Sequence, residues 1–115
     1  MAERRMFARK VIESDSFYSL SNSAQNLYFH MCMYADDDGF VNNINYIIRG
    51  VGASSKDYQS LCDNGFLIPF DDGLVVITHW KVHNYIQKDR YRPTIYTEHA
   101  EKLERSKGDI YRLKV

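Results

Sequence analysis

Phe66-Leu67-Ile68-Pro69-Phe70-Asp71-Asp72-Gly73-Leu74-Val75-Val76-Ile77-Thr78 is the stretch on which the fold turns. Two runs rich in β-branched and aromatic residues flank an Asp-Gly pair. Glycine supplies the positive φ that a tight turn needs, so the spacing predicts a β-hairpin. Pro69 has no N–H to give a ladder and places its strand at an edge.

Upstream the period changes from two to between three and four. Tyr58, Leu61 and Cys62 give one apolar side to a helix that opens at Ser54, three residues before Asp57. That is capping-box spacing, in which two orphan backbone donors are satisfied reciprocally. Asn64-Gly65 is a left-handed stop for this helix. The tight turn Val51-Gly52-Ala53 separates it from a short helix through Ile44, Ile47 and Ile48, which Asn42-Asn43 caps. Gly39-Phe40-Val41 is a minimal strand, expected to pair with the hairpin as a third strand. A longer helix opens at Ser21 or Asn22 and carries Ala24, Leu27, Tyr28, Met31 and Ala35 in one stripe, ending at Asp36-Asp37-Asp38-Gly39. Val11, Ile12, Phe17 and Leu20 form a lead-in, helical or extended, that packs on the same core.

Helix, short strand, helix, turn, helix, hairpin is the order of a winged helix-turn-helix, an α+β fold with a three-helix core and a β-hairpin wing. Residues 1–92 are expected to form this domain, with a basic N-terminal arm and a basic aromatic tail. Residues 93–115 read as a polar C-terminal extension, helical or mobile, with Leu103 among its few apolar anchors. A chain of 115 residues, 44% hydrophobic, closes one core and not two. No apolar run approaches the roughly 20 residues of a membrane-spanning helix, and no apolar stretch follows the charged N-terminus. The expectation is a cytoplasmic protein of the cell it works in. Cys32 and Cys62 fall at apolar helix positions without a spacing motif and read as reduced, core-facing thiols.

The formal charge is zero, but it is sorted along the chain. Arg4, Arg5, Arg9 and Lys10 face only Glu3 in the first ten residues. Between Val11 and Thr78, Arg49 and Lys56 stand against nine acids, among them Asp36, Asp37, Asp38, Asp71 and Asp72. From His79 to Arg92, Lys81, Lys88, Arg90 and Arg92 oppose Asp89 alone, with His79 and His83 beside them. A polyanion meets the two basic flanks first, because phosphate neutralisation dominates nucleic-acid affinity.

The candidate DNA-binding residues are therefore Arg4, Arg5, Arg9 and Lys10 of the arm, and Lys81, His83, Gln87, Lys88, Arg90 and Arg92 of the tail. In the tail, aromatic and basic residues interleave, and Val82, Tyr85 and Ile86 are expected to anchor it. Ser55, Lys56 and Gln59, with Ser60 and Asn64, are the candidates for groove contact from the third helix. Each has a plainer reading, as a solvated face or an ordinary terminus. Asp57 and Asp63 oppose docking of that helix, and Asp71 and Asp72 make the hairpin tip structural.

Other chemistry finds little support. His79 and His83 have zinc-finger spacing but lack a Cys-x-x-Cys partner. Asp36 to Gly39 resembles the start of a calcium loop, yet Ile47 occupies the twelfth position where a glutamate is required, and a solvated turn accounts for the acids. No glycine-rich phosphate loop, nucleophile elbow or paired His-Glu metal motif occurs, so neither an enzyme nor a cofactor is expected.

A resemblance extends this reading. Arg4-Arg5-Met6-Phe7 with Ile12 and Asp15, Leu27-Tyr28-Phe29-His30, Ala35-Asp36-Asp37-Asp38-Gly39-Phe40-Val41-Asn42-Asn43, residues 48–52, His79-Trp80 and His83-Asn84-Tyr85-Ile86-Gln87-Lys88-Asp89-Arg90-Tyr91 resemble the N-terminal domain of phage replisome organisers. Those replication initiators are related to the primosomal DnaD family. The resemblance implies a winged-helix domain that recognises a phage origin in the bacterial host and helps recruit a helicase loader or other replication protein; double-stranded origin DNA is the expected ligand, and repeated origin sites would favour self-association as a homodimer or higher oligomer. Members of the family usually continue into a second, helical domain. The alternative is a winged-helix interaction module that docks a helicase loader or host regulator without binding DNA.

Overall fold

The computed structural model describes residues 4–114, and serines set the starts of three of its helices. Helix α1 (Arg9–Ile12) is a single turn that buries Val11. Ser14 accepts from the Phe17 N–H and opens α2 (Asp15–Tyr18); Ser21 accepts from the Ala24 N–H and opens α3 (Asn22–Tyr34). The lead-in to α3 is thus two short helices. Strand β1 (Phe40–Val41) follows, then α4 (Ile44–Val51), whose end is closed by Gly52 at φ +71°. Asn43 sits at the start of α4 without donating or accepting a side-chain cap bond. Helix α5 (Ser55–Asp63) has the full capping box: Ser54 accepts from the Asp57 N–H, and the Asp57 carboxylate accepts from the Ser54 N–H.

Strands β2 (Leu67–Pro69) and β3 (Val75–Ile77) pair antiparallel, Leu67 opposite Ile77 and Pro69 opposite Val75. β1 joins the other edge of β3, Phe40 opposite Val76, in the order β1-β3-β2. Pro69 is on an edge strand, as its missing donor requires. Helix α3 packs on α4 and α5, and its Ala24, Leu27, Tyr28 and Met31 are buried along with Cys32. Phe17 meets Tyr28, Phe29 and Phe66 edge to face, an arrangement aromatic rings favour. Phe17 and Tyr28, fully buried, contribute about 1.5–3 kcal/mol each. Cys32 is buried, Cys62 half-buried, and both are free thiols.

Helix α6 (Trp80–His83) follows β3 at once, and Trp80 is wholly enclosed. Its indole N–H donates to the Asp37 carbonyl at 2.9 Å. Gly39 lies against the same ring at φ +93°, where an added Cβ would sit 2.6 Å from Trp80 Cγ. Both the turn and the tryptophan therefore demand glycine here. The tail beyond α6 is anchored differently from expectation. Val82 and Ile86 are half-buried, but Tyr85 is 78% exposed.

The C-terminal expectation is corrected. After one helical turn, α7 (Thr97–Ala100), the chain forms a second hairpin, β4 (Leu103–Ser106) and β5 (Ile110–Leu113), paired from Leu103 opposite Leu113 to Ser106 opposite Ile110. Gly108 and Asp109 turn it with φ of +87° and +64°. Leu103 and Tyr111 join the same buried cluster as Phe40 and Trp80. Tyr111 ties the hairpin down: its N–H donates to the Thr78 carbonyl and its hydroxyl to the Asp38 carbonyl, both at 2.9 Å. The segment is ordered by those contacts and is neither a helix nor a free tail. No helix among the described residues is long and apolar enough to cross a membrane.

Gly39→Ala is expected to lower the unfolding free energy by about 2–4 kcal/mol, combining left-handed backbone strain with overpacking on Trp80. Urea denaturation checks it; an unchanged midpoint contradicts the packing described.

Candidate nucleic-acid interface

The acidic triplet decides which cations are free. Asp36, Asp37 and Asp38 are not a solvated turn: Asp37 is 2% exposed and Asp38 9%. Asp36 accepts from the Asp38 and Phe40 N–H groups and from the Thr94 hydroxyl. Asp37 accepts from the Arg92 N–H. Asp38 accepts from the Lys81 ammonium, the Tyr91 hydroxyl and the Thr94 N–H. Burial pushes the Asp38 carboxyl up, but Tyr91, Lys81 and Thr94 together outweigh it and hold the group below the usual carboxylate range.

Arg5 is drawn into the same cluster. Its side chain is 1% exposed and lies over the Trp80 ring at 5.1 Å, with Nη2 donating to the Ala35 carbonyl. Its Nη1 stands 3.6 Å from Asp37 Oδ1, a charge contact longer than a hydrogen bond. Arg5 is therefore a core cation and leaves the set of phosphate contacts. Lys81, held at 3.0 Å from Asp38, is largely spent in the same way.

His83 also leaves the set, because it is 4% exposed. Its Nδ1 accepts from the Ala8 N–H at 2.8 Å, so the ring proton sits on Nε2 and donates to the Tyr28 oxygen at 2.7 Å. A second ring proton would point at the Ala8 N–H, so this site requires neutral imidazole. Burial, with a smaller push from His79, lowers the His83 pKa to about 4.

The remaining candidates are exposed. Arg4 is exposed, and Arg9 is exposed while paired with Glu13. Gln87, Lys88, Arg90 and Arg92 lie on an exposed loop, turned by N–H donation from Arg90 and Tyr91 to the Gln87 carbonyl. On α5, Ser55, Lys56 and Gln59 face outward, but the Gln59 amide donates to Asp63 of its own helix at 2.8 Å.

Two grooves show which of these residues the fold gathers. In one, about 510 Å³, Lys10 of the arm and Lys107 of the second hairpin line the same space with Asn64 at the end of α5. In the other, about 310 Å³, Lys88 of the tail meets Arg105 of that hairpin, with Tyr85, Tyr91, Asp37 and Asn84. The β4–β5 hairpin thus contributes a cation to both grooves, next to cations from the arm and the tail. Its basic residues, Lys102, Arg105, Lys107, Arg112 and Lys114, were missed by sequence reasoning. The available signal was Leu103-Glu104-Arg105 and Ile110-Tyr111-Arg112 alternating round Lys107-Gly108, a weak strand-turn-strand pattern. Arg112 pairs with Glu104 across the strands and Arg105 loosely with Asp109, which tempers the charge. Among the described residues no group of three potential metal ligands occurs.

A comparison of the chain with protein families, with curated proteins and with solved structures finds no match.

Two outcomes follow from the buried groups. Arg5→Met is expected to cost about 3–5 kcal/mol by stranding the Asp37 charge, and adding Asp37→Leu to it recovers part of that loss in chemical denaturation. For His83, the unfolded ring titrates near 6.5, above its folded value, so the unfolded state takes up the proton first as pH falls. Stability present above about pH 6.5 is lost towards pH 4. Thermal melts across that window show the decline, and His83→Gln flattens it; an equal slope in the variant refutes the assignment.

Proposed function

We propose that this chain is a winged-helix DNA-binding module acting in the initiation of phage DNA replication, with double-stranded origin DNA as its ligand. The observation that carries the proposal is the meeting of Lys10 with Lys107 and of Lys88 with Arg105 in two grooves lined by one hairpin. Burial and pairing of the acidic triplet remove the largest cluster of carboxylates from the surface such a polyanion would see. The order α3, β1, α4, α5, β2, β3 and the pairing of β1 with β3 support the winged-helix reading. In that reading α4 and α5 are the helix-turn-helix unit and Ser55, Lys56 and Gln59 add what base contact α5 makes. The role in origin recognition and recruitment of a helicase loader comes from the resemblance, and repeated origin sites favour self-association.

A second reading has its own observation. Asp71 and Asp72 are exposed at the first hairpin's tip, and Asp63 engages Gln59 on α5, so those two surfaces suit a basic protein partner better than phosphate. On this view the module docks a helicase loader or host regulator without DNA.

Fluorescence anisotropy with labelled duplex separates them. Under the DNA reading, affinity falls steeply between about 50 and 300 mM salt, and replacing Lys10, Lys88 and Lys107 by Ala weakens binding and flattens the log-log salt slope by roughly 2–3. Salt-independent affinity, or no binding at either concentration together with nuclease-resistant capture of a protein from host extract, transfers the case to the docking reading.

A further inference from the structure

The groove beneath residues 85–91 carries more than charge. Asp37 and Asn84 line it, 2% and 6% exposed, and each side chain is half satisfied. Asp37 Oδ2 accepts from the Arg92 N–H, and Asn84 Oδ1 accepts from the Met6 N–H. Asn84 Nδ2 has no hydrogen-bond partner among the described residues, and Asp37 Oδ1 has only the charge contact with Arg5 Nη1 at 3.6 Å, beyond hydrogen-bond distance. The Met6 bond fixes which way the Asn84 amide faces, so its unmatched atom is a donor, and the one on Asp37 is an acceptor. Buried polar atoms left unmatched are costly, and an incoming group able to answer both is favoured accordingly.

The walls narrow the chemistry of that group. Tyr85 is 78% exposed and makes no ring contact among the described residues, so a face is open for stacking. Tyr91 is fixed by its bonds to Asp38, with the Lys81 ammonium 5.4 Å from its ring centre. Lys88 is exposed and forms no ion pair among the described residues, and Arg105 stands 3.7 Å from Asp109 in a loose, half-exposed pair. The volume, about 310 Å³, is at the small end for ligand sites and excludes a duplex. A flat ring with a donor and an acceptor on its edge and phosphates beside it answers every one of these features.

We propose that this groove takes one unpaired base of single-stranded DNA: the ring stacks on Tyr85, its edge bonds to Asn84 and Asp37, and Lys88 and Arg105 hold the flanking phosphates. The inference rests on the DNA-binding reading above and adds to it a strand state, that of an origin whose duplex is open. Every base offers at least one donor and one acceptor on its pairing edge, so capture is tolerant of sequence.

The test compares a labelled mixed-sequence strand of about 12 nucleotides with the corresponding duplex, using the full chain. Tyr85 is at the surface, so Tyr85→Ala leaves the fold intact. This variant is expected to weaken the single strand roughly tenfold or more and the duplex less than about twofold, while Tyr85→Trp restores single-strand binding. Mixed deoxynucleoside monophosphates compete far less well than the strand. If both DNAs bind and Tyr85→Ala leaves single-strand affinity unchanged, the groove assignment falls and the DNA-binding reading stands. Failure of both DNAs to bind overturns the two together. Mononucleotides that bind as tightly as the strand overturn the strand as the source of the base.

Discussion

Two buried carboxylates and a half-buried third, consecutive in sequence, set the terms for most of this structure. A buried charge persists only where it is paired or hydrogen-bonded, and Asp36, Asp37 and Asp38 sit side by side at the end of α3. Their partners come from separate parts of the chain: Arg5 before α1, Lys81 in α6, Tyr91, Arg92 and Thr94 after it. Tyr111 of β5 then caps the same loop through the Asp38 carbonyl. The arm, the tail and the second hairpin are thereby fastened to one point. Trp80 seals it, with its ring against Gly39 and its N–H on the Asp37 carbonyl.

This cluster explains which parts of the molecule were legible in the sequence. Elements governed by near neighbours read correctly. Ser21 and the Ser54–Asp57 box act within a turn, Asp71-Asp72-Gly73 acts across a hairpin, and the stripe on α3 follows from helical period. The short strand at Phe40 and Val41 pairs with the edge of β3 that β2 leaves open. Features governed by remote neighbours misread. The acids looked solvated because Arg5, Lys81 and Tyr91 stand 32 to 53 positions away in sequence, and no local pattern announces them. Arg5 and His83 looked like surface cations for the same reason, each being claimed by a partner on another element.

The second hairpin misread for a different cause. Its strands are four residues each, with one clearly buried side chain apiece, Leu103 and Tyr111. So little alternation is hard to tell from a polar tail, and the burial that orders it is supplied by Thr78 and Asp38. The candidate site was accordingly legible in part. Lys10 and Lys88 read as free cations, whereas Arg105 and Lys107, which line the grooves with them, lay in a segment assigned no structure. Charge on the surface is a property of the folded arrangement, and here folding withdraws Arg5, Lys81 and His83 and brings in Arg105 and Lys107.

The long reach of the Asp38 contacts also bears on how the chain acquires its shape. The Tyr111 hydroxyl and the Asp38 carbonyl are separated by 73 residues. Loop closure over such a distance is an entropic cost met before the contact gives anything in return. The helices and the first hairpin, built on contacts closer in sequence, form at a lower entropic cost than the pairing of β5 with the Asp38 loop. Closure of the acidic loop is accordingly a late step of folding, after the elements held by near neighbours.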